Sequence, residues 1–226
     1  MRVGTLCRSA SIGLACLAAL ASCSNAPDRQ VTVGSMAKSI FKNDNKRSAP
    51  TAQQVAAQAA TAMAATNAPL IIVSLPERSV VAVMQQIELN NGYATYGTQD
   101  RRAVTLRAGM MTATRGLGND VMSADISAVQ PLVSGRRNGN GRRVMRYLDG
   151  EDLTRVEVSY CTVRIGAVTR LQLAEIDTAV TAVSETCEGD FGDFTNTYQV
   201  ALNGRVVQSR QWHSPLNRYL TIQALR

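Results

Sequence analysis

Asn-Gly pairs set between strand-like runs constrain this chain more than any other feature. Leu70 to Leu75 is an apolar run that stops at Pro76, and Ser79 to Leu89 is a second candidate strand. Asn91-Gly92 joins it to Tyr93-Ala94-Thr95-Tyr96. Both central residues of a tight hairpin turn need positive φ, which Asn and Gly adopt at little cost. The pair recurs at Asn138-Gly139, Asn140-Gly141 and Asn203-Gly204, and Asp149-Gly150 does similar work. Val144 to Leu148 and Leu153 to Val163 read as one hairpin, and Val168 to Ile176 with Thr178 to Glu185 as another. Phe194, Asn196, Tyr198, Val200 and Leu202 recur at period two, which sets side chains on one face of a strand. Arg205 to Trp212 returns after Asn203-Gly204, and Arg218 to Leu225 closes the chain. The fold class that follows is mainly β and antiparallel, a barrel or sandwich, with one N-terminal helix and a short helical turn mid-chain.

That helix runs from Ala52 to about Ala65. Thr51 and Gln54 form a capping box, each side chain satisfying an orphan amide at the helix start. The body is rich in alanine, the best helix former. Val55, Ala59 and Met63 recur at four-residue spacing and make a thin apolar stripe. Asn67 and Pro69 end it. A thin stripe suits packing on a sheet; the other reading is a surface helix that contacts a partner.

The N-terminal segment carries the features of an export signal. Arg2 and Arg8 precede an apolar stretch from Ser9 to Leu20, and Leu20-Ala21-Ser22-Cys23 looks like a bacterial lipobox. On this reading residues 1–22 are a signal peptide and Cys23 is acylated. Residues 23–50 are then a polar, flexible linker, and 51–226 are a single β-rich periplasmic domain. Each buried methylene contributes about 0.8 kcal/mol, so several acyl chains hold a protein on a membrane that one chain would not. Serine after the cysteine directs such a protein to the outer membrane, facing the periplasm. The rival is cleavage after Ala19-Leu20-Ala21, which leaves Cys23 a plain thiol. Cys161 and Cys187 are then the cysteines of the exported domain, and an oxidising compartment pairs them. Such a bridge stabilises by roughly 3 to 3.5 kcal/mol in the chain-entropy model. The alternative is two separate buried thiols.

Little in the chain points to catalysis. Lys+Arg number 24 against 17 Asp+Glu, a mildly basic balance that fits either an anionic partner or a solubility setting. Aromatic residues make up 4%, too few for the stacking platforms that bind nucleic acid. The one histidine, His213, reads as a loop residue after a strand. A zinc site wants three or four Cys or His ligands, so no metal and no cofactor is expected. Asp120, Asp125, Glu151, Asp152, Glu157 and Glu175 supply carboxylates, but no pattern selects a glycosidase pair among them.

Two stretches stand out as contact surfaces. Arg115-Gly116-Leu117-Gly118-Asn119-Asp120 reads either as a tight turn, with Asn119 or Asp120 capping a Val121 to Ala124 turn, or as a ligand or partner contact. Its two glycines lack the lysine of a phosphate loop. Arg136, Arg137, Arg142, Arg143 and Arg146 bracket the two central Asn-Gly pairs. They read either as a solvated loop or as a grip on an acidic polysaccharide, since guanidinium matches carboxylate.

Several separated motifs together resemble the YjbF/GfcB family, outer-membrane lipoproteins of group 4 capsule and exopolysaccharide clusters. They are the lipobox at Cys23, the run from Thr114 to Asp125, and Arg146-Tyr147-Leu148-Asp149-Gly150. Cys187, Phe194 to Tyr198 and Gly204 to Trp212 complete the set. The resemblance covers about Ala52 to the C-terminus. It implies a partly open barrel-like periplasmic domain working beside a large outer-membrane β-barrel protein and a periplasmic partner in polysaccharide export. It implies no catalytic residues. On the reading of a non-catalytic scaffold, the contact surfaces expected are Arg115, Gly116, Gly118, Asn119 and Asp120, with the Gln211-Trp212 edge.

Overall fold

The computed structural model describes residues 50–226 apart from Asp149, Asp152 and Phe191. The signal peptide, Cys23 and the linker up to residue 49 lie outside the described residues, as does Asp149 of the Asp149-Gly150 turn.

The first element is the expected helix, α1 (Ala52–Ala65). Thr51 Oγ1 accepts from the Gln54 amide at 3.2 Å and Gln54 Oε1 accepts from the Thr51 amide at 2.8 Å. The reciprocal bonds satisfy two of the four orphan amides at the helix start. Ala59 is its buried residue, and with Ala62 and Met63 it packs on Leu70, Ile72, Val83 and Leu225. The thin alanine stripe therefore lies on the outside of a sheet.

Twelve strands follow: β1 (Leu70–Leu75), β2 (Val80–Asn90), β3 (Tyr93–Gly97), β4 (Ala103–Arg107), β5 (Met110–Arg115), β6 (Val121–Asp125), β7 (Gly139–Leu148), β8 (Thr154–Leu173), β9 (Ile176–Gly189), β10 (Phe194–Ala201), β11 (Val206–Ser214) and β12 (Arg218–Ala224). All pairings are antiparallel. The order is β5-β4-β3-β2-β1-β12-β11-β10-β9-β8-β7-β6. Two meanders thus meet where β1 pairs with β12, and the sheet curls into a nearly closed barrel. β5 and β6, adjacent in the chain, are the two edges, brought together without a ladder between them. Val104, Met110, Val121, Val163, Val200 and Leu220 are among the fully buried residues of the large core.

The Asn91-Gly92 turn forms as expected, with φ of 48° and 81°. Asn203-Gly204 likewise turns the chain between β10 and β11, with Gly204 at φ 83°. Four local expectations are corrected. Asn138-Gly139 and Asn140-Gly141 do not form turns: Gly139 and Gly141 belong to β7 and pair with Val163 and Cys161. A Cβ on Gly141 would stand 2.8 Å from Val129, and one on Gly139 3.0 Å from Leu132, so these glycines admit the helical turn α2 (Gln130–Ser134) and its approach onto β7. Val121 to Ala124 is not a capped turn but most of strand β6. β8 is one continuous strand with a bulge between Ile165 and Val168, and its hairpin with β9 turns at Ala174-Glu175. Leu202 leaves the strand and is 70% exposed.

Cys161 and Cys187 stand opposite each other on β8 and β9 and form a disulfide. Beside them the barrel buries charge. Arg143, expected in a solvated loop, is 2% exposed and faces Glu185 at 3.6 Å. Glu185 Oε2 accepts from Asn196 Nδ2 at 2.8 Å and from the Tyr198 hydroxyl at 2.5 Å. Burial pulls the Arg143 pKa down, but Glu185, Tyr198, Tyr147 and Glu157 around it hold it above its ordinary value. Arg136 is also engaged, donating to the Ala201 carbonyl at 2.5 Å, while Arg142 and Arg146 stay exposed on β7. The arginine cluster is therefore split between interior and surface, because a strand alternates its faces.

Candidate functional site

The distinctive loop, residues 116–120, joins the two sheet edges and closes the barrel seam. Strand edges leave amides and carbonyls unpaired, which is costly where water is excluded. Side chains take over here. The Asp120 carboxylate accepts from Thr114 Oγ1 at 2.9 Å, from the Gly116 amide at 2.7 Å and from the Leu117 amide at 3.1 Å. Thr114 Oγ1 in turn accepts from the Val121 amide at 3.0 Å. The Arg115 guanidinium donates to the carbonyls of Thr114 at 2.6 Å, Val121 at 3.1 Å and Met122 at 3.4 Å. Two side chains of β5 thus stitch it to the backbone of β6. Gly116, Gly118 and Asn119 all hold positive φ, and buried Leu117 anchors the loop in the core.

Residues of β11 back the seam from across the barrel. His213, expected in a loop, is fully buried in β11, with Nε2 3.1 Å from Thr114 Oγ1 and Nδ1 3.1 Å from Ser214 Oγ. Thr114 gives its single hydroxyl proton to Asp120, so His213 Nε2 carries the proton and donates to Thr114. Burial, then the cation of Arg78, lower the His213 pKa, and Asp120 opposes them; the result is about 4. His213 is therefore neutral at pH 7. Asn217 completes the cluster: it accepts from Arg78 Nε at 2.7 Å and donates to the carbonyls of Leu117 and Gly118. Thr114, His213, Ser214 and Asn217 are each no more than 1% exposed. A chain of carboxylate, hydroxyl, imidazole and hydroxyl is present; its hydroxyls and imidazole are buried, its carboxylate is half-buried, and its bonds fix the loop.

Gln211 and Trp212 are both buried rather than set at an open edge. Gln211 is fully buried; its Oε1 accepts from the Met111 amide at 2.8 Å and its Nε2 donates to the Gly109 carbonyl at 3.2 Å. It thereby caps the edge strand β5 from inside. Trp212 is 6% exposed, stacks on Phe194 at 5.5 Å and meets Tyr219 edge-on at 5.4 Å. Its amide donates to Asn196 Oδ1 at 2.6 Å. Of the expected contact residues, Arg115, Gly116 and Asn119 remain exposed, while Gly118 and Asp120 are half-buried. Arg78, His213 and Asn217 carried no local signal, because His213 and Asn217 reach the loop across about a hundred residues of chain and Arg78 acts through Asn217.

Among the described residues, one group of metal-ligating types comes together: Cys161, Glu185 and Cys187, within 4.8 Å of one another. Its sulfurs are bonded to each other, which leaves Glu185 as the one ligand.

Residues 35–225 match the protein family described as group 4 capsule polysaccharide lipoprotein gfcB, YjbF. No curated protein matches. Among solved structures, the hypothetical lipoprotein YmcC from Escherichia coli (K12) is similar in fold, with a TM-score of 0.63 at 17% identity. The likeness covers 88% of this chain and 98% of that one.

Proposed function

Because this chain belongs to the YjbF family of group 4 capsule polysaccharide lipoproteins, we propose that it acts in capsule or exopolysaccharide export as a lipid-anchored, non-catalytic scaffold or binding module. Acyl chains on Cys23 hold it to the periplasmic face of the outer membrane, and residues 24–50 give the barrel reach. Its partners are an outer-membrane β-barrel protein and a periplasmic protein of the export system. The observation that carries the reading is the seam. Thr114, Asp120 and His213 lock the loop from beneath while Arg115, Gly116 and Asn119 stay exposed above it. A rigid loop loses little conformational entropy when a partner covers it.

The test is deletion of the gene with measurement of surface and secreted polysaccharide, complemented by wild type and by Cys23→Ala. Loss of polymer that wild type restores, and the unlipidated form restores poorly, is the expected result. Normal polymer in the deletion strain sinks the proposal.

A further inference from the structure

The barrel exterior over β10, β11 and β12 has an unusual chemistry. Register aligns Gln199, Gln208 and Gln223 across the three strands. The neighbouring row, two residues along, aligns Thr197, Arg210 and Thr221. These six side chains line an open groove of about 280 Å³. The six comprise amides, hydroxyls and one guanidinium, with no carboxylate and no lysine. An ordinary solvated face mixes charges of both signs. At its far end the glutamine row meets Ile72 on β1, which α1 covers.

Arg210 is the charged member of the groove. Its guanidinium carbon sits 3.2 Å over the centre of the Tyr219 ring. The Tyr219 hydroxyl is itself fixed, accepting from the Thr195 amide at 3.2 Å. Arg210 has no ion pair among the described residues. A guanidinium held flat and unpaired presents a planar fork that matches a carboxylate. Gln199 Oε1, in the same groove, is buried and has no hydrogen-bond partner.

We propose that this face binds a carboxylate-bearing polysaccharide laid across β10–β12. The inference rests on the capsule-polysaccharide reading above and names the surface that meets the polymer. Adjacent strands lie about 4.8 Å apart, so the three glutamines repeat one donor–acceptor pair along a line. A polymer of repeating hydroxyls offers the complementary pattern. Arg210, one row over, takes the acidic substituent, and Thr197 and Thr221 flank it with hydroxyls. The groove is smaller than pockets that enclose a drug-sized ligand, which suits a chain lying along it.

The test uses the full-length protein in detergent and the polysaccharide purified from the producing cells, by calorimetry. The same polymer with its carboxyl groups reduced, and dextran, serve as comparisons. Wild type should bind the native polymer. Carboxyl reduction and Arg210→Ala should each weaken binding about tenfold or more, the range of a hydrogen bond to a charged group. Combining them should add little, because both remove one contact. Arg210→Lys should fall between, and Gln208→Ala/Gln223→Ala should weaken both forms of the polymer. Arg210 is exposed and touches the Tyr219 ring, so its variants should melt within a few degrees of wild type, which separates binding from folding. No binding by wild type, or equal binding by wild type and all variants, overturns the inference. Indifference to carboxyl reduction does the same. Polymer lost on gene deletion without any binding removes the inference and leaves the export reading; binding together with normal polymer in the deletion strain does the reverse.

Discussion

His213 Nε2 lies 3.1 Å from Thr114 Oγ1, joining a strand at the barrel seam to a strand across the interior. The imidazole is held neutral, its pKa lowered from 6.5 to about 4, first by burial. Below pH 6.5 the unfolded chain takes up a proton that the native state refuses until about pH 4. Stability from this group is therefore complete above pH 6.5 and is lost as pH falls toward 4. The loss amounts to about 3 kcal/mol. Urea denaturation at pH 7 and pH 4 checks it: His213→Gln should show a smaller difference between the two than wild type does.

Asp120 accepts three hydrogen bonds at the seam loop. Asp120→Ala leaves the Thr114 hydroxyl and two amides without their acceptor, and should cost about 2 to 4 kcal/mol. Asp120→Asn retains one acceptor oxygen and should fall between. Chemical denaturation of the three proteins decides the matter; equal midpoints would mean that the loop holds without its carboxylate.

The buried pair Arg143–Glu185 yields a test by compensation. Arg143→Met strands a carboxylate in the interior and should destabilise by about 3 to 5 kcal/mol. Arg143→Met/Glu185→Gln removes both charges and keeps an acceptor for Asn196 and Tyr198. The double variant should be more stable than the single one by thermal melting.

Arg226 links three parts of the fold. Its guanidinium binds both oxygens of Glu175 at 2.7 and 2.6 Å and donates to the carbonyls of Met63 and Thr66 at the end of α1. Arg226→Ala should raise amide hydrogen exchange across Ala52–Ala65 while the central strands keep their protection. Unchanged exchange in the helix would show that Ala59 and Met63 hold it alone.

Local chemistry was readable in the sequence, and distant chemistry was not. The α1 cap, the turns at Asn91-Gly92 and Asn203-Gly204 and the β class rest on neighbouring residues, so their signals survive in one dimension. β4 and β5 escaped notice because Ala108-Gly109, at φ 50° and 82°, does the work of an Asn-Gly turn. Gly109 also sits where a Cβ would stand 2.6 Å from the Val206 carbonyl, a constraint set by a strand nearly a hundred residues away. Asn138 to Gly141 misled for the complementary reason: their glycines answer to the approach of Val129 and Leu132, not to a turn. Gln211 looked like an edge residue because its partners, Met111 and Gly109, lie about a hundred residues upstream.

The strand order has a kinetic consequence. Every ladder except β1–β12 joins strands that follow each other in the chain. Each meander can zip from its own hairpins within a short stretch, whereas β1 must await a strand some 150 residues later. Closing that loop carries the largest entropy cost of the assembly, and it comes last, after the hairpins of both meanders. Until then the outer edge of β1 stays open to other chains, and α1, whose floor includes Leu225 from the far end of the sequence, cannot complete its seat.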